Sequence, residues 1–462
     1  MPIRGRRGIK GDWEGREKLQ EGWASPPSVS TSRDFANGST RAGTEACPCD
    51  TTGGQAASAT NCVRGREKMM RLVDVKVTAG GGRMRLTGRL EGSDGKALPD
   101  VWFEYPEGYG KFVREDADAF AAVLVVVAMI RREAFETELA VSLELAEGLY
   151  ELQGIYGMWY PKRLTRVAPR FGRVVRKEAG GQRGVGAFFS GGVDSFYTVL
   201  KERYGIERGT PLLTHLIYIN GLETPLGEIG ENREGPIGEI ARELGLELIV
   251  GWTNLRDVFN YDYGAYLNGP ALAAAGLALG GGLSYVVIPA SGSFAYEDLR
   301  PWGSHPMVDR LCSTECVKVR QDGADAMRSE KMERVIARDE LALRYLCSCT
   351  KNKGAFRNCG KCPKCVRTMV ALKALGVLEK ARTFPQSFDY SLVGAIDLSS
   401  PAEMAYTQHN LELAKAQWKD ARLVRELEKH IRRFERRGAL RALVSGTSVE
   451  RAARAVKRAF GG

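Results

Sequence analysis

At 462 residues the chain is too long for one ordinary domain and suggests two or three units. A hydrophobic share of 44% and a charged share of 27% exclude a wholly disordered chain, a collagen-like fibre and a coiled-coil rod. The net charge of +11 is concentrated at the ends: residues 401–462 hold 14 Lys and Arg against 7 Asp and Glu, and residues 1–68 hold 11 against 8. A basic end can attract nucleic acid, but a solvated helical face is the commoner cause, so no nucleic-acid partner is expected. The most apolar stretches, 121–130 and 271–279, reach only about half the ~20 residues of a membrane-spanning helix. The first residues also lack the apolar run of a secretory signal. A cytoplasmic protein with no membrane contact is expected.

Taken in chain order, residues 1–68 carry few large apolar side chains among Gly, Ser, Thr, Ala and charge, and read as a disordered leader or an over-extended start. Residues 69–178 read as a small α+β portion. Runs 71–78 and 83–90 alternate around Gly80, Gly81 and Gly82 as a hairpin; 101–105 is a strand and 117–131 a buried helix. In residues 179–400, apolar runs at 185–189, 212–219, 246–250 and 285–289 alternate with helical segments at 195–203, 236–244 and 264–279. That rhythm indicates βαβ units and a parallel sheet. Residues 401–462 form a basic helical extension, with Leu411, Trp418, Val424, Leu427, Ile431 and Phe434 as its apolar stripe.

The sharpest local signal is Ser190-Gly191-Gly192-Val193-Asp194-Ser195, set between an apolar strand and a helix. Two glycines let backbone N–H groups approach oxygen atoms without Cβ interference. The helix adds unsatisfied donors and the positive end of its dipole. Ser190 and Ser195 supply hydroxyls, and Asp194 can cap the turn or help hold Mg²⁺ on phosphates. The plain alternative is a tight turn with an N-cap. No Gly-Lys-Ser/Thr follows, which excludes a Walker loop.

Cysteines supply the second signal. Three of the ten lie in the leader (Cys47, Cys49 and Cys62) and seven lie between Cys312 and Cys365. Clustering in a large chain points to metal and not to a disulfide scaffold. Cys359, Cys362 and Cys365 recur at intervals of three, and Cys349 lies ten positions before the first of them. Four thiolates with no open position make a structural zinc site. A C-x-x-C redox pair and a set of buried thiols are the alternatives, and Cys347 competes with Cys349 for the first ligand. Lys351, Lys353, Arg357, Lys361, Lys364 and Arg367 surround the cluster and would balance its charge.

Together the loop and the downstream Cys…CGxCxxC pattern resemble the PP-loop ATP pyrophosphatases, and within them 7-cyano-7-deazaguanine synthase of the queuosine pathway; the resemblance covers residues 184–380. It implies a Rossmann-like, adenine-nucleotide alpha-hydrolase-like domain. ATP and Mg²⁺ would be held by Ser190, Gly191, Gly192, Val193, Asp194 and Ser195, and structural zinc by the four cysteines. Asp194, Ser195 and Lys331 would serve catalysis. The activity implied is ligation: the carboxylate of 7-carboxy-7-deazaguanine is adenylated, ammonia displaces AMP, and a second ATP takes the amide to the nitrile in a homodimer. The loop 291–305 matches the family's substrate segment only loosely; Ser293, Tyr296, Asp298, Trp302 and His305, with Glu297, are its candidates for binding the heterocycle, and a packed surface loop is the alternative. The 70–175 portion and the helical tail depart from the family pattern. They leave room for the same chemistry on a partner protein or other macromolecule, for example in an anti-phage system. A more distant option is tRNA thiolation through Cys312 or Cys316.

Overall fold

The computed structural model describes residues 68–445 apart from 179, 182, 230–232, 297, 350, 353–355 and 418–419. The leader with Cys47, Cys49 and Cys62 lies outside the described residues, as do Glu297, Lys353, Trp418 and the tail beyond 445.

The expected hairpin is formed by β1 (Met69–Gly80) and β2 (Arg83–Gly92), antiparallel around Gly81 and Gly82, whose φ angles of 60° and 74° suit only glycine without strain. β3 (Ala97–Pro106) follows antiparallel to β2. The helix Asp118–Arg131 is apolar on all sides because it is buried on all sides: every residue from Asp118 to Met129 is buried. Next come β4 (Ala134–Ser142), the helix Leu143–Trp159 and β5 (Arg170–Val175), with β4 parallel to both β1 and β5.

β6 (Gly184–Phe188), β7 (His215–Asn220), β8 (Glu247–Thr253), β9 (Leu283–Pro289) and β10 (Lys318–Asp322) are all parallel. The protein is thus α/β with one mostly parallel ten-stranded sheet, ordered β10-β9-β6-β7-β8-β3-β2-β1-β4-β5. The N-terminal portion is continuous with the parallel half: β3 joins β8 through Phe103–Thr253 and Glu104–Trp252. The Asn254 side chain reinforces this seam, accepting from the Trp102 N–H at 2.9 Å and donating to the Asp100 carbonyl at 2.8 Å.

Strand alternation divides the apolar residues between two faces. Ile217, Val286 and Ile288 pack on one side with Phe103, Phe120 and the helix Asn268–Leu277; Leu216 and Val287 pack on the other with Phe196, Ile237, Ile240 and Leu372. Counted from β6, the parallel half runs 3-2-1-4-5 across β8-β7-β6-β9-β10. Connections therefore part between β6 and β9, which opens a crevice at the carboxyl ends of those strands. The helices Pro401–Gln417 and Ala421–Ser445 pack on each other and on Pro363–Ala374 around Val370, Leu413, Leu423 and Leu427. No helix among the described residues is long and apolar enough to cross a membrane.

Candidate functional site

At the carboxyl end of β6 the chain enters the 190–195 turn, and the helix Val193–Leu200 begins at Gly192. Gly191 has φ 79°, and a Cβ there would lie 2.8 Å from the Phe356 ring, so the position demands glycine twice over. The Ser195 hydroxyl donates to the Gly192 carbonyl at 3.0 Å and braces the turn. The Gly191 carbonyl in turn accepts the Cys347 N–H at 2.8 Å, which ties the loop to the cysteine segment.

Beside this turn lies a cavity of about 580 Å³ at the strand ends, lined by Ser190, Gly192, Asp194 and Ser195 on one side and by Ser293, Asp298, Trp302 and His305 on the other. Most of the residues singled out from sequence thus converge on one space. Four are placed otherwise. Gly191 shapes the turn but is not part of the lining. Val193 is a core residue packed among Val185 and Phe196. Tyr296 is 92% exposed and points away from the lining. Lys331 is 1% exposed and sits behind the wall, donating to the Ala290 carbonyl at 2.6 Å and to Asp194 at 3.1 Å.

Asp194 is where the local charges meet. Its carboxylate pairs with Arg328 at 2.8 Å as well as with Lys331. Burial alone would raise its pKa, but these two cations outweigh it and hold the carboxyl below its usual range. Arg367, on the helix Pro363–Ala374, lines the same cavity and pairs with Glu403. Burial, aided by repulsion from Arg328, pushes the Arg367 pKa down to about 10. Its buried Nε has no hydrogen-bond partner. Two guanidiniums on residues that line the cavity, each paired with one carboxylate, are groups that could meet an anion there.

The opposite wall is apolar and polar by turns. Burial holds the His305 imidazole below its ordinary pKa, so the ring is neutral at pH 7. It packs edge-on against Trp159 at 4.9 Å, and its Nδ1 accepts the Met307 N–H at 3.1 Å. Beneath it, Asp309 accepts from Ser304 at 2.7 Å, from Gln321 at 3.0 Å and from the His305 N–H at 3.1 Å. Burial nonetheless pushes the Asp309 carboxyl up to about 7. Asp298 accepts the Tyr406 hydroxyl. Sequence reasoning missed Arg328, Asp309, Gln321, Glu403 and Tyr406. Only Arg328, three residues before Lys331 at the start of the helix Arg328–Arg334, carried a local signal.

Cys349, Cys359, Cys362 and Cys365 place one sulfur each within 4.8 Å of all the others, a cluster that can hold a metal ion such as zinc. The Cys349–Cys362 and Cys359–Cys365 sulfurs lie 3.9 and 3.8 Å apart. Tetrahedral bonds of about 2.3 Å from zinc to sulfur require about 3.8 Å between sulfurs, so the thiols already have the spacing. Backbone N–H groups of Asn352 and Cys362 donate to the Cys349 and Cys359 sulfurs at 3.4 and 3.3 Å, which favours thiolates. Cys347 is not in the cluster and contributes the loop-binding N–H instead. Two of the surrounding cations find distant acids: Lys364 lies 3.7 Å from Glu223, and Arg367 meets Glu403. Cys312 and Cys316 are buried in the other core cluster, outside the cavity lining. In comparisons with known proteins, no family model, curated protein or solved structure matches this chain.

Proposed function

We propose that the chain is a PP-loop ATP pyrophosphatase with a Rossmann-like nucleotide domain, acting as an ATP-dependent C–N ligase of the 7-cyano-7-deazaguanine synthase type. One observation supports this most: the Ser-Gly-Gly-Val-Asp-Ser turn lies at the reversal of strand order between β6 and β9, beside a cavity whose lining includes Arg328 and Arg367. ATP, as substrate, would place its phosphates against the turn's N–H groups and these guanidiniums. A substrate carboxylate oxygen attacks the α-phosphorus, the bond to the β-phosphate oxygen breaks, and pyrophosphate leaves with its developing charge met by fixed cations. Ammonia then displaces AMP to give the amide, and a second adenylation carries amide to nitrile.

Asp194 does not fit the role of magnesium ligand, because Arg328 and Lys331 already occupy its oxygens. Magnesium enters only as the nucleotide's counter-ion. The His305, Trp302 and Asp298 wall suits a flat heterocycle with N–H groups, so 7-carboxy-7-deazaguanine is the first acceptor to test. A second reading, in which the acceptor is carried on a macromolecule, is favoured by one observation. Phe294 and Met307 are 62% and 48% exposed on the segment that also supplies the cavity wall, and neither lines the cavity. The homodimer and the cytoplasmic location stay part of the proposal.

The test is product analysis with labelled ATP. AMP and pyrophosphate should form when 7-carboxy-7-deazaguanine and ammonia are added. ADP and orthophosphate as primary products would exclude the mechanism. Asp194→Asn should lower AMP formation by about 100-fold, because Arg328, which meets the leaving group, loses its anchor. Inertness of the small acid would turn the search to macromolecular acceptors.

A further inference from the structure

The C-terminal helix Ala421–Ser445 carries charge that the catalytic proposal does not use. It contains eight Lys and Arg against three Asp and Glu, an excess of five in a chain whose total is +11. Within the described part, Lys429, Arg432, Arg433, Arg436 and Arg437 line a single concavity of about 340 Å³. The apolar face of the helix Ala421–Ser445 is already committed: Leu423, Leu427 and Ile431 are buried, the first two packing with Leu413 against the helix Pro401–Gln417. From Arg432 to Arg437 every residue is exposed, so this stretch stands clear of the body.

Such a stretch is internally repulsive. Lys429 and Arg433, Arg432 and Arg436, and Arg433 and Arg437 are like charges four apart, an arrangement that weakens a helix in water. Relief within the chain is slight. Arg432 lies 3.4 Å from Glu428 and Lys429 lies 3.7 Å from Glu426, while Arg433, Arg436 and Arg437 meet no acid among the described residues. A row of five cations of which only two have an acid nearby, on a helix whose one exposed large apolar side chain in this stretch is Phe434 (37% exposed), is matched by a polyanion and not by an extended apolar partner surface.

We propose that this helix face is a docking surface for the phosphate backbone of a nucleic acid. Four of the five side chains lining it are arginines, whose planar forks pair with phosphate oxygens two at a time. From 429 to 437 the row spans about 12 Å of helix axis, over which a duplex presents about seven phosphate charges. The contact is to backbone only, so no sequence preference is expected. The inference stands independently of the ATP chemistry, since none of the five residues borders the cavity.

Fluorescence anisotropy of the full chain with a labelled DNA or RNA duplex of about 24 base pairs tests it. Five phosphate contacts at about −0.9 each predict a log–log salt slope of about −4.5, or roughly a 500-fold loss of affinity between about 50 and 200 mM salt. The triple variant Arg433→Glu, Arg436→Glu, Arg437→Glu should bind at least about 100-fold more weakly, with the slope reduced to about −1.8. Circular dichroism checks that its fold is kept, and the milder Arg433→Gln, Arg437→Gln pair replaces it if not. Unchanged binding by the variants would overturn the proposal. So would absence of duplex binding at low salt, or binding only to vesicles of phosphatidylserine and phosphatidylcholine.

Discussion

Asp309 gives the most demanding test of how the cavity floor is built. Its carboxyl titrates near 7 in the folded chain against an ordinary value of 3.8, because burial disfavours the charged form more than three hydrogen-bond donors favour it. With the folded value raised, the native state holds a proton that the unfolded state has lost, so stability falls as pH rises from about 4 to about 7 and then levels off. A difference of about three units at 1.36 kcal/mol each is a total loss of about 4 kcal/mol. About 2.5 kcal/mol of it falls between pH 5 and 8, where titration of the unfolded carboxyl is already complete. Asp309→Asn removes this dependence but forfeits one hydrogen bond from Ser304 or Gln321, about 1 kcal/mol. The variant should therefore be weaker than wild type near pH 4 and stronger at pH 8. Urea unfolding of both proteins across that range isolates the effect, since every other titrating group cancels in the difference. A wild-type-minus-variant difference that stays flat from pH 5 to 8 would show that Asp309 is ionised in the folded protein and would refute the reasoning.

The cysteine cluster predicts one zinc per chain by metal analysis, and Cys362→Ser should lose it together with several kcal/mol of stability, since structural metal binding is folding free energy. Because the Cys347 N–H holds the Gly191 carbonyl, chelation of the metal should also weaken nucleotide binding before the chain unfolds, as read by titration calorimetry in a chelator series. Gly191→Ala, at φ 79° with the Phe356 ring in the way, should cost about 1–2 kcal/mol in thermal unfolding and impair AMP formation. An Ala variant as stable and as active as wild type would mean that the turn adopts another backbone.

What could be read in the sequence was local. The hairpin at Gly81 and Gly82, the all-apolar helix Asp118–Arg131 and the strand–turn–helix around Gly191 each announce themselves through period and turn chemistry within a dozen residues. The four clustered thiols, which can hold a metal ion, were legible for the same reason, as spacing along the chain. β4 and β5 were not foreseen. β4 bends through a register shift between Thr137 and Ala140, and β5 is a mostly exposed edge strand whose RFGRVV lacks apolar alternation. β10 was hidden too, since Lys318, Arg320 and Gln321 are polar and are accommodated by Glu144, the Val319 carbonyl and Asp309 respectively. The 401–462 stretch read as one helical run, whereas it breaks around Asp420, whose side chain caps Leu423 and binds Tyr390.

The cavity itself depended on contacts that no local pattern encodes. Arg367 faces it because the cysteine cluster starts a helix at Pro363, and its countercharge arrives 36 positions later on Glu403. Asp298 belongs to the loop after β9, yet its partner hydroxyl is Tyr406, on the same late helix. Ser400, Glu403, Tyr406 and His409 fasten that helix to Arg300, Arg367, Asp298 and Ser329 in turn, successive polar contacts at helical spacing along one rim. In the sequence these four residues look like an ordinary solvated face, because a polar stripe that meets water and one that meets a charged wall have the same period. The distinction lies in what sits opposite, and here that is a guanidinium with a buried, unpartnered N–H. The helix that seemed an appendage is therefore a wall of the cavity. A ligand anion seeking Arg367 would have to compete with Glu403 for it, so on the proposed reading the affinity of the cavity for phosphate depends partly on how firmly the C-terminal helices are docked.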